Sequence, residues 1–361
     1  MRNSRAVTDH ESLQRLPAVL VREGYIDAYQ LFGPVNTRFA SLRRHLDPLP
    51  SPLRGLVQLF LLAEAVAPDV LAPALTPGDL AALVRLRLLV EEAAGLRSNG
   101  LRLLPIAGRL VFVPAVTPAG WVGGDQLALL LRAMPARSGL SIDLCASTGA
   151  LAMHLASRGA RVIAVESNAE LARAAALNIA MAQLDRRVEV RDGDLWLAAP
   201  GQRFNRVTAI PPTLPGPPHL MAARHGGGDG FLVVRRILGA LPRILSHDGI
   251  ASLAGVCLGN RSGPFGAPEL GRLARDHDLS VVWTVPSRQS IQPGEKGFER
   301  LVLLCAAATG VDAEVMRDQL AEHLRQQHAD QLYYYFITAS RGGEGLRHTS
   351  HYREPGGFWF R

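Results

Sequence analysis

The segment of this sequence best suited to hold a ligand is Ser141-Ile142-Asp143-Leu144-Cys145-Ala146-Ser147-Thr148-Gly149-Ala150-Leu151, an apolar run that ends in a string of small residues. In an open α/β sheet, ligands bind beyond the carboxyl ends of strands, at a turn of this kind. Asp143, Cys145, Ala146, Ser147 and Gly149 are the candidate binding residues there. About twenty residues on, a second apolar run, Arg161-Val162-Ile163-Ala164-Val165, ends in Glu166. A carboxylate at that place accepts hydrogen bonds from both hydroxyls of a ribose. Ser167 begins Ser-Asn-Ala-Glu, which reads as a capping box that starts the next helix and fixes where Glu166 points. A third run leads into Asp192-Gly193-Asp194-Leu195-Trp196. An acid there can receive the exocyclic amine of adenine while a large apolar neighbour covers the ring. Asp194 is the first choice for that role and Asp192 the second, a polar surface turn being the plain alternative for Asp192.

The choice of adenosine cofactor follows from what the turn lacks. A dinucleotide needs G-x-G-x-x-G, because the backbone must come very close to a pyrophosphate. Cys145, Ser147 and Ala150 stand at the three glycine positions. S-adenosylmethionine (SAM) carries no phosphate and asks less of the turn, so SAM is the expected cofactor, with an empty crevice as the alternative.

These residues must be positioned by alternating strands and helices. Strands are expected at 140–144, 161–166, 188–191, 206–210, 250–256, 280–284 and 300–305. The alternation implies an α/β fold with a mostly parallel sheet and helices on both faces. Seven strands suit a Rossmann-like, class I SAM-dependent methyltransferase domain, whose last strand runs antiparallel; that domain is expected over 119–310. Residues 1–118 read as mostly helical. Thr76-Pro77-Gly78-Asp79 carries an N-cap, a proline at the first helical position and an acid three residues on. Two short alternating stretches, 100–104 and 109–113, follow the helix it opens, which suggests a winged-helix module. Arg85 and Arg87 are the only basic residues on that helix, so a docking or substrate-covering role is expected over DNA binding. Residues 117–120 read as a linker. Residues 311–361 read as an extension: an amphipathic helix (313–327), a strand around Tyr333, Tyr335 and Phe336, and an aromatic end, Phe358-Trp359-Phe360. Those last aromatics would close over the acceptor pocket or make a homo-oligomer contact.

Composition narrows the class. The net charge of +7 and pI near 9.9 hint at nucleic acid, but Lys296 is the only lysine and no dense basic run occurs. The arginine excess reads as a compositional habit. Cys145, Cys257 and Cys305 are too scattered for a zinc site or a disulfide framework, so no metal and a reducing cytoplasm are expected. No signal-peptide core and no charge-free apolar run of membrane-spanning length occurs, so no membrane partner is expected. Phosphate-loop, nucleophile-elbow and zinc-protease motifs are missing.

Four segments together resemble one family. Asp143 to Leu151 is similar to the D-L-C-T-G-S-G-A-L motif of the HemK-type methyltransferases, which modify a glutamine of peptide-chain release factors. Gly193-Asp194-Leu195-Trp196 resembles their G-D-L-F. The stretch Phe204 to Pro215 resembles F-D-x-V-x-x-N-P-P-Y-I-P, and Gly227-Gly228-Asp229-Gly230-Phe231 with Arg235-Arg236-Ile237-Leu238 resembles G-x-D-G-L followed by R-R-I-L. The resemblance covers about the middle half of the chain. It implies a SAM-dependent methyltransferase and places Ile210 where the family's amide-orienting asparagine stands, at the rim of the cofactor pocket, with Thr213 in place of tyrosine. Isoleucine offers no acceptor, which leaves the backbone carbonyls of Ile210 and Pro211 to orient an amine. A lost hydrogen bond there costs about 1–3 kcal/mol. Pro211, Thr213 and His225 are therefore the candidate catalytic residues, His225 as a general base, with His219 nearby and a solvent-exposed loop histidine the plainer reading. Asp229 is expected to cap the helix that follows. The altered acceptor motif leads to the expectation of methyl transfer to a nitrogen or oxygen of a small molecule, in specialised biosynthesis, over protein or RNA. The alternatives are a protein or RNA methyltransferase, and a SAM-binding or DNA-binding regulator without catalysis.

Overall fold

The computed structural model describes residues 2–31, 43–106, 108–114, 139–217 and 226–353. The N-terminal part is built from α1 (Arg2–Arg22), α2 (Tyr25–Leu31), α3 (Ser51–Val57), α4 (Pro68–Leu71) and α5 (Pro77–Arg85). Two antiparallel hairpins follow, β1 (Leu89–Glu92) with β2 (Gly95–Ser98), and β3 (Leu101–Ile106) with β4 (Arg109–Pro114). Helix α5 starts as its sequence dictates: Thr76 accepts from the Asp79 amide and Asp79 reaches back to the Thr76 amide. Arg85 is held by Asp9 of α1, and Arg15 of α1 lies 2.6 Å from Asp79. These two cations seat α1 on α5.

The second part is one sheet. Its parallel strands are β5 (Leu140–Leu144), β6 (Arg161–Glu166), β7 (Val188–Asp192), β8 (Phe204–Ala209) and β9 (Leu245–Asn260). The helices between them are α6 (Ala150–Ser157), α7 (Ala169–Met181) and α8 (Leu232–Ile244). The short β10 (Gly263–Pro264), α9 (Ala267–Asp276), β11 (Leu279–Ser290), α10 (Lys296–Thr309), α11 (Ala313–Gln326), β12 (Gln331–Arg341) and β13 (Gly345–Arg353) complete the chain. Across the sheet the order is β13-β11-β12-β9-β8-β5-β6-β7, with β10 paired to β9. Successive connections leave β5 toward one side and return at β8 on the other, so the strand order reverses between β5 and β8. That reversal opens the crevice in which open α/β sheets bind ligands. Strand β12 runs antiparallel between β9 and β11, giving the Rossmann-like methyltransferase arrangement.

The structure corrects three expectations. Residues 300–305 form no strand; they lie inside α10, where Leu301, Val302 and Cys305 are buried while Leu303 is exposed, a helical period. The antiparallel strand is β12, with Tyr333 and Tyr335 inward. Residues 311–353 are accordingly no appendage, because β12 inserts between two strands of the sheet and β13 adds a parallel edge beside β11. The sheet exceeds seven strands for that reason. Residues 117–120 and 358–360, read as linker and aromatic end, lie outside the described residues.

Helices α6 and α7 share one core with the N-terminal part, from Leu13 and Phe60 through Phe112 to Ala174 and Ile179. On the opposite face α8 and α9 pack over Phe231, Trp283 and Tyr335.

Candidate functional site

The turn after β5 alternates its backbone hand. Cys145, Ser147 and Gly149 have φ of 56°, 51° and 79°. A side chain at Gly149 would press on Ala175 of α7, so only glycine serves there. Cys145 and Ser147 adopt the same left-handed region with side chains, at a cost of about 1–2 kcal/mol each. Ser147→Gly should therefore raise stability by about 0.5–1 kcal/mol in urea unfolding, the relief of strain exceeding glycine's added unfolded-state entropy. The Ser147 hydroxyl has no hydrogen-bond partner to lose.

Glu166, at the end of β6, closes over this turn. Its Oε2 accepts from the Ser147 amide at 2.8 Å and its Oε1 from the Asn168 amide at 2.9 Å. The carboxylate is buried and each oxygen keeps a lone pair for a further donor. The expected capping box at Ser167 does not form. Ser167 is exposed, and Asn168 caps α7 by accepting from the amides of Glu170 and Leu171. The cap falls one residue later, at Asn168, whose own amide Glu166 holds.

Asp143 lies beneath the turn, 1% exposed, and accepts from the Thr208 hydroxyl at 2.8 Å. Burial pushes its pKa up to about 7, against the Thr208 hydrogen bond and the Ala152 amide, with the Glu166 charge adding to the rise. It is placed to brace β5 against β8. The same burial raises the Cys145 thiol, helped by Glu166, Asp143 and Asp194. Ala146 is buried and donates its amide to Val165.

The Asp143 shift has a consequence for stability. The folded state keeps its proton to about pH 7, whereas the unfolded carboxyl loses it near 3.8. Stability is thus fully present below pH 3.8 as far as this group is concerned, and falls by up to about 1.4 kcal/mol per pH unit until pH 7. Asp143→Asn, which keeps an acceptor for Thr208, is expected to flatten that slope in thermal unfolding between pH 5 and 7.5.

At the third loop the residues separate. Asp192 ends β7 opposite Glu166 and is exposed. Asp194 is exposed and pairs with Arg236 of α8 at 2.6 Å. Trp196 is half-buried in the short turn Leu195–Ala198, packed against the core under α8. The Gly193 amide donates to the Glu166 backbone carbonyl at 3.2 Å, which ties this loop to the end of β6.

After β8, Ile210 is half-buried against the N-terminal core, and Pro211 is buried. Thr213 is buried and its hydroxyl accepts from the Val256 amide of β9 at 3.0 Å. This side chain fastens the loop to the sheet, and the catalytic role expected for it has no support in that geometry. Asp229 is not the expected cap of α8, whose N-cap residue is Phe231 with no side-chain cap bond; it accepts from the Phe231 amide at 3.0 Å just ahead of the helix and binds Arg235. Gly226 and Gly230 sit against the backbone of Thr213, where a Cβ would meet atoms within 2.9 Å. His219 and His225 lie outside the described residues.

One residue of the site was not foreseen. Asn178 on α7, fully buried, donates to the carbonyls of Thr148 and Phe112, each at 2.9 Å, and accepts from the Phe112 amide at 2.8 Å. It links the ligand turn to strand β4 of the N-terminal part. The signal was present in the sequence: an asparagine set among Leu177, Ile179, Ala180 and Met181 on the apolar side of a helix needs partners.

Glu166 with two anchored oxygens, a turn of small residues and a half-buried tryptophan fit an adenosine with an uncharged linkage. With Cys145 and Ser147 at two glycine positions they fit a pyrophosphate poorly. No family model matches the chain. A ribosomal protein uL3 glutamine methyltransferase of Bordetella pertussis is 32% identical over 204 residues, 51% of this chain and 62% of that protein. A second of that name, from Bradyrhizobium diazoefficiens, is 34% identical over 139 residues, 35% of this chain and 44% of that protein. A release factor glutamine methyltransferase of Gloeobacter violaceus is 30% identical over 182 residues, 47% of this chain and 59% of that protein. The chain is similar in sequence to these proteins named as glutamine methyltransferases. It spans less than two thirds of the length of these relatives. Among solved structures, a precorrin-6y C5,15-methyltransferase of Geobacter metallireducens aligns with a TM-score of 0.37 at 13% identity, over 63% of this chain and 94% of that one. The geranyl diphosphate C-methyltransferase of Streptomyces coelicolor aligns with 0.37 at 16%, over 60% and 76%. The named relatives overturn the expectation of a small-molecule acceptor, and with it the ranking of a small molecule above protein as partner. That expectation leaned on the altered acceptor motif at Ile210 and Thr213 and on flanking regions that could enclose a small pocket, and two changed residues do not redirect a whole family resemblance.

Proposed function

We propose that this protein binds SAM at the turn after β5 and transfers its methyl group to a protein side chain, glutamine being the first to test. The observation that carries the reading is the Glu166 clamp. One buried carboxylate is fixed by the amides of Ser147 and Asn168 at the strand-order reversal, in a chain whose relatives are named as protein glutamine methyltransferases. Glu166 would receive the ribose hydroxyls, and Trp196 would cover the adenine. Asp192, exposed and level with Glu166, is better placed for the adenine amine than Asp194, whose carboxylate is engaged by Arg236. Asp143, Ala146 and Gly149 hold the turn in shape, while Cys145 and Ser147 face the methionine end. When bound, SAM supplies an electrophilic methyl group on a sulfonium. The protein's own contribution is to align the acceptor and take up its proton. Ile210 and Pro211 border that space with backbone carbonyls, and His225 is retained as the base. The pair of hairpins after α5 is read as a winged-helix-like cover for the acceptor, since Arg85 is engaged by Asp9. No helix among the described residues is long and apolar enough to cross a membrane, and a cytoplasmic setting fits an acceptor in the translation apparatus.

The test is incubation with methyl-labelled SAM and three fractions: ribosomal proteins, release factors and a small-molecule extract. Label in a protein band, abolished by S-adenosylhomocysteine, is expected. Label confined to small molecules would overturn the acceptor. No label in any fraction despite SAM binding in titration would leave a SAM-binding protein without catalysis.

A further inference from the structure

At the amino ends of β5 to β8, on the rim opposite the cofactor turn, lies an open groove of about 750 Å³. Arg161, Arg186, Arg187 and Arg191 line it, with Asp185 and Glu189 as its acids. Arg191 is spent within the protein: it grips Glu189 through two contacts of 2.8 and 3.0 Å and donates to the Ala198 carbonyl. The other three guanidiniums are exposed, and none has a carboxylate at salt-bridge distance among the described residues. Arg161 and Arg187 are neighbours across β6 and β7, since Val162 pairs with Val188 and the Val162 amide donates to the Arg187 carbonyl at 2.8 Å. Like charges set beside one another across strands cost stability. Gly159 leaves the space beside them open, with nothing within 4 Å of where its Cβ would stand. Elsewhere among the described residues some exposed arginines are paired, as at Asp9, Asp79, Asp194 and Glu299, while others such as Arg87, Arg243 and Arg275 are in no salt bridge. What sets the groove apart is that three guanidiniums with no carboxylate at salt-bridge distance stand together along it.

We propose that this groove binds the phosphate backbone of RNA and docks the enzyme on a ribonucleoprotein that carries its acceptor. The guanidinium fork matches phosphate oxygens in pairs, and a row of cations at the amino end of β6 and in the turn before β7 suits a polymer with a charge on every unit. From Arg161 to Glu166 along β6 is about 17 Å, so RNA in the groove leaves the cofactor turn free. The choice of RNA over an acidic protein surface rests on the reading that the acceptor belongs to the translation apparatus.

The experiment measures fluorescence anisotropy of a labelled 20-nucleotide RNA, single-stranded and duplex, against the full chain from 50 to 300 mM salt. The triple variant Arg161→Gln, Arg186→Gln, Arg187→Gln is expected to bind at least tenfold more weakly at the lowest salt. Its log–log salt slope should fall by roughly two units for single strands, as loss of three phosphate contacts requires, with SAM affinity unchanged. A control variant neutralising Arg272, Arg275 and Arg325 carries the same net charge and should bind RNA like the parent. Absence of RNA binding in the parent, or an equal loss in the control, overturns the proposal. Preference for poly-glutamate over RNA at matched charge also overturns it and gives the groove to an acidic protein. Because methylation is read separately, RNA binding can fail while the acceptor reading stands, and the reverse.

Discussion

Glu166→Gln is expected to weaken SAM binding by about a hundredfold in calorimetric titration while the protein stays folded. The side chain keeps its shape, but its amide nitrogen must face one of the two backbone amides that now donate to it, from Ser147 or Asn168. Hydrogen bonds to a charged acceptor are worth about 1.5–3 kcal/mol each, and two ribose hydroxyls would lose the charge together. A loss of about 3 kcal/mol corresponds to a little over a hundredfold in affinity. The same substitution leaves one buried amide unpaired, so a modest fall in thermal midpoint should accompany it. The two effects separate when SAM affinity is measured at a temperature where parent and Glu166→Gln are both fully folded, so that only the charge differs. If Glu166→Gln binds SAM within threefold of the parent, Glu166 is a strut of the turn and the ribose is held elsewhere.

Much of this site could be read from the chain because its chemistry is local. The turn from Asp143 to Gly149 and the acid at Glu166 declare themselves by residue type and by a spacing that one βαβ unit imposes. The far half of the sheet was less legible. Residues 300–305 are a short apolar run, and such a run cannot be assigned to strand or helix by periodicity alone; only the alternation of buried Leu301 and Val302 with exposed Leu303 reveals α10. Strand β12 was foreseen as a strand from its aromatic content, yet its insertion between β9 and β11 is a matter of long-range pairing that no local pattern encodes. Thr213 illustrates the same limit. Its place in the acceptor motif suggested chemistry, while the partner that claims its hydroxyl, Val256, is 43 residues away. Asp194 was chosen over Asp192 without knowledge of Arg236, which α8 brings to it from 42 residues on.

Asn178→Ala should lower stability by about 3–4 kcal/mol, the largest loss expected for a single side chain outside the apolar core. Three hydrogen bonds disappear at once, each worth about 1 kcal/mol net, and three buried backbone groups are left without that partner. Both carbonyls lie where water is excluded, since Asn178 and Phe112 are fully buried. Asn178→Asp should be worse, because a carboxylate has no donor for either carbonyl and would be buried unpaired. Asn178→Gln separates packing from hydrogen bonding: it carries the right groups on a longer stem and is expected to recover little, since the cavity between α7 and β4 is closed by Phe112. Differential scanning calorimetry gives the stability; SAM titration gives the second readout. The Thr148 carbonyl belongs to the ligand turn, so release of Asn178 frees that turn and β4 from each other. A weaker SAM affinity beyond what the unfolded fraction accounts for would mean that the N-terminal part helps set the shape of the cofactor turn. SAM binding unchanged in the folded fraction would confine Asn178 to holding the two parts of the chain together, and the turn would then keep its left-handed alternation through Glu166 alone.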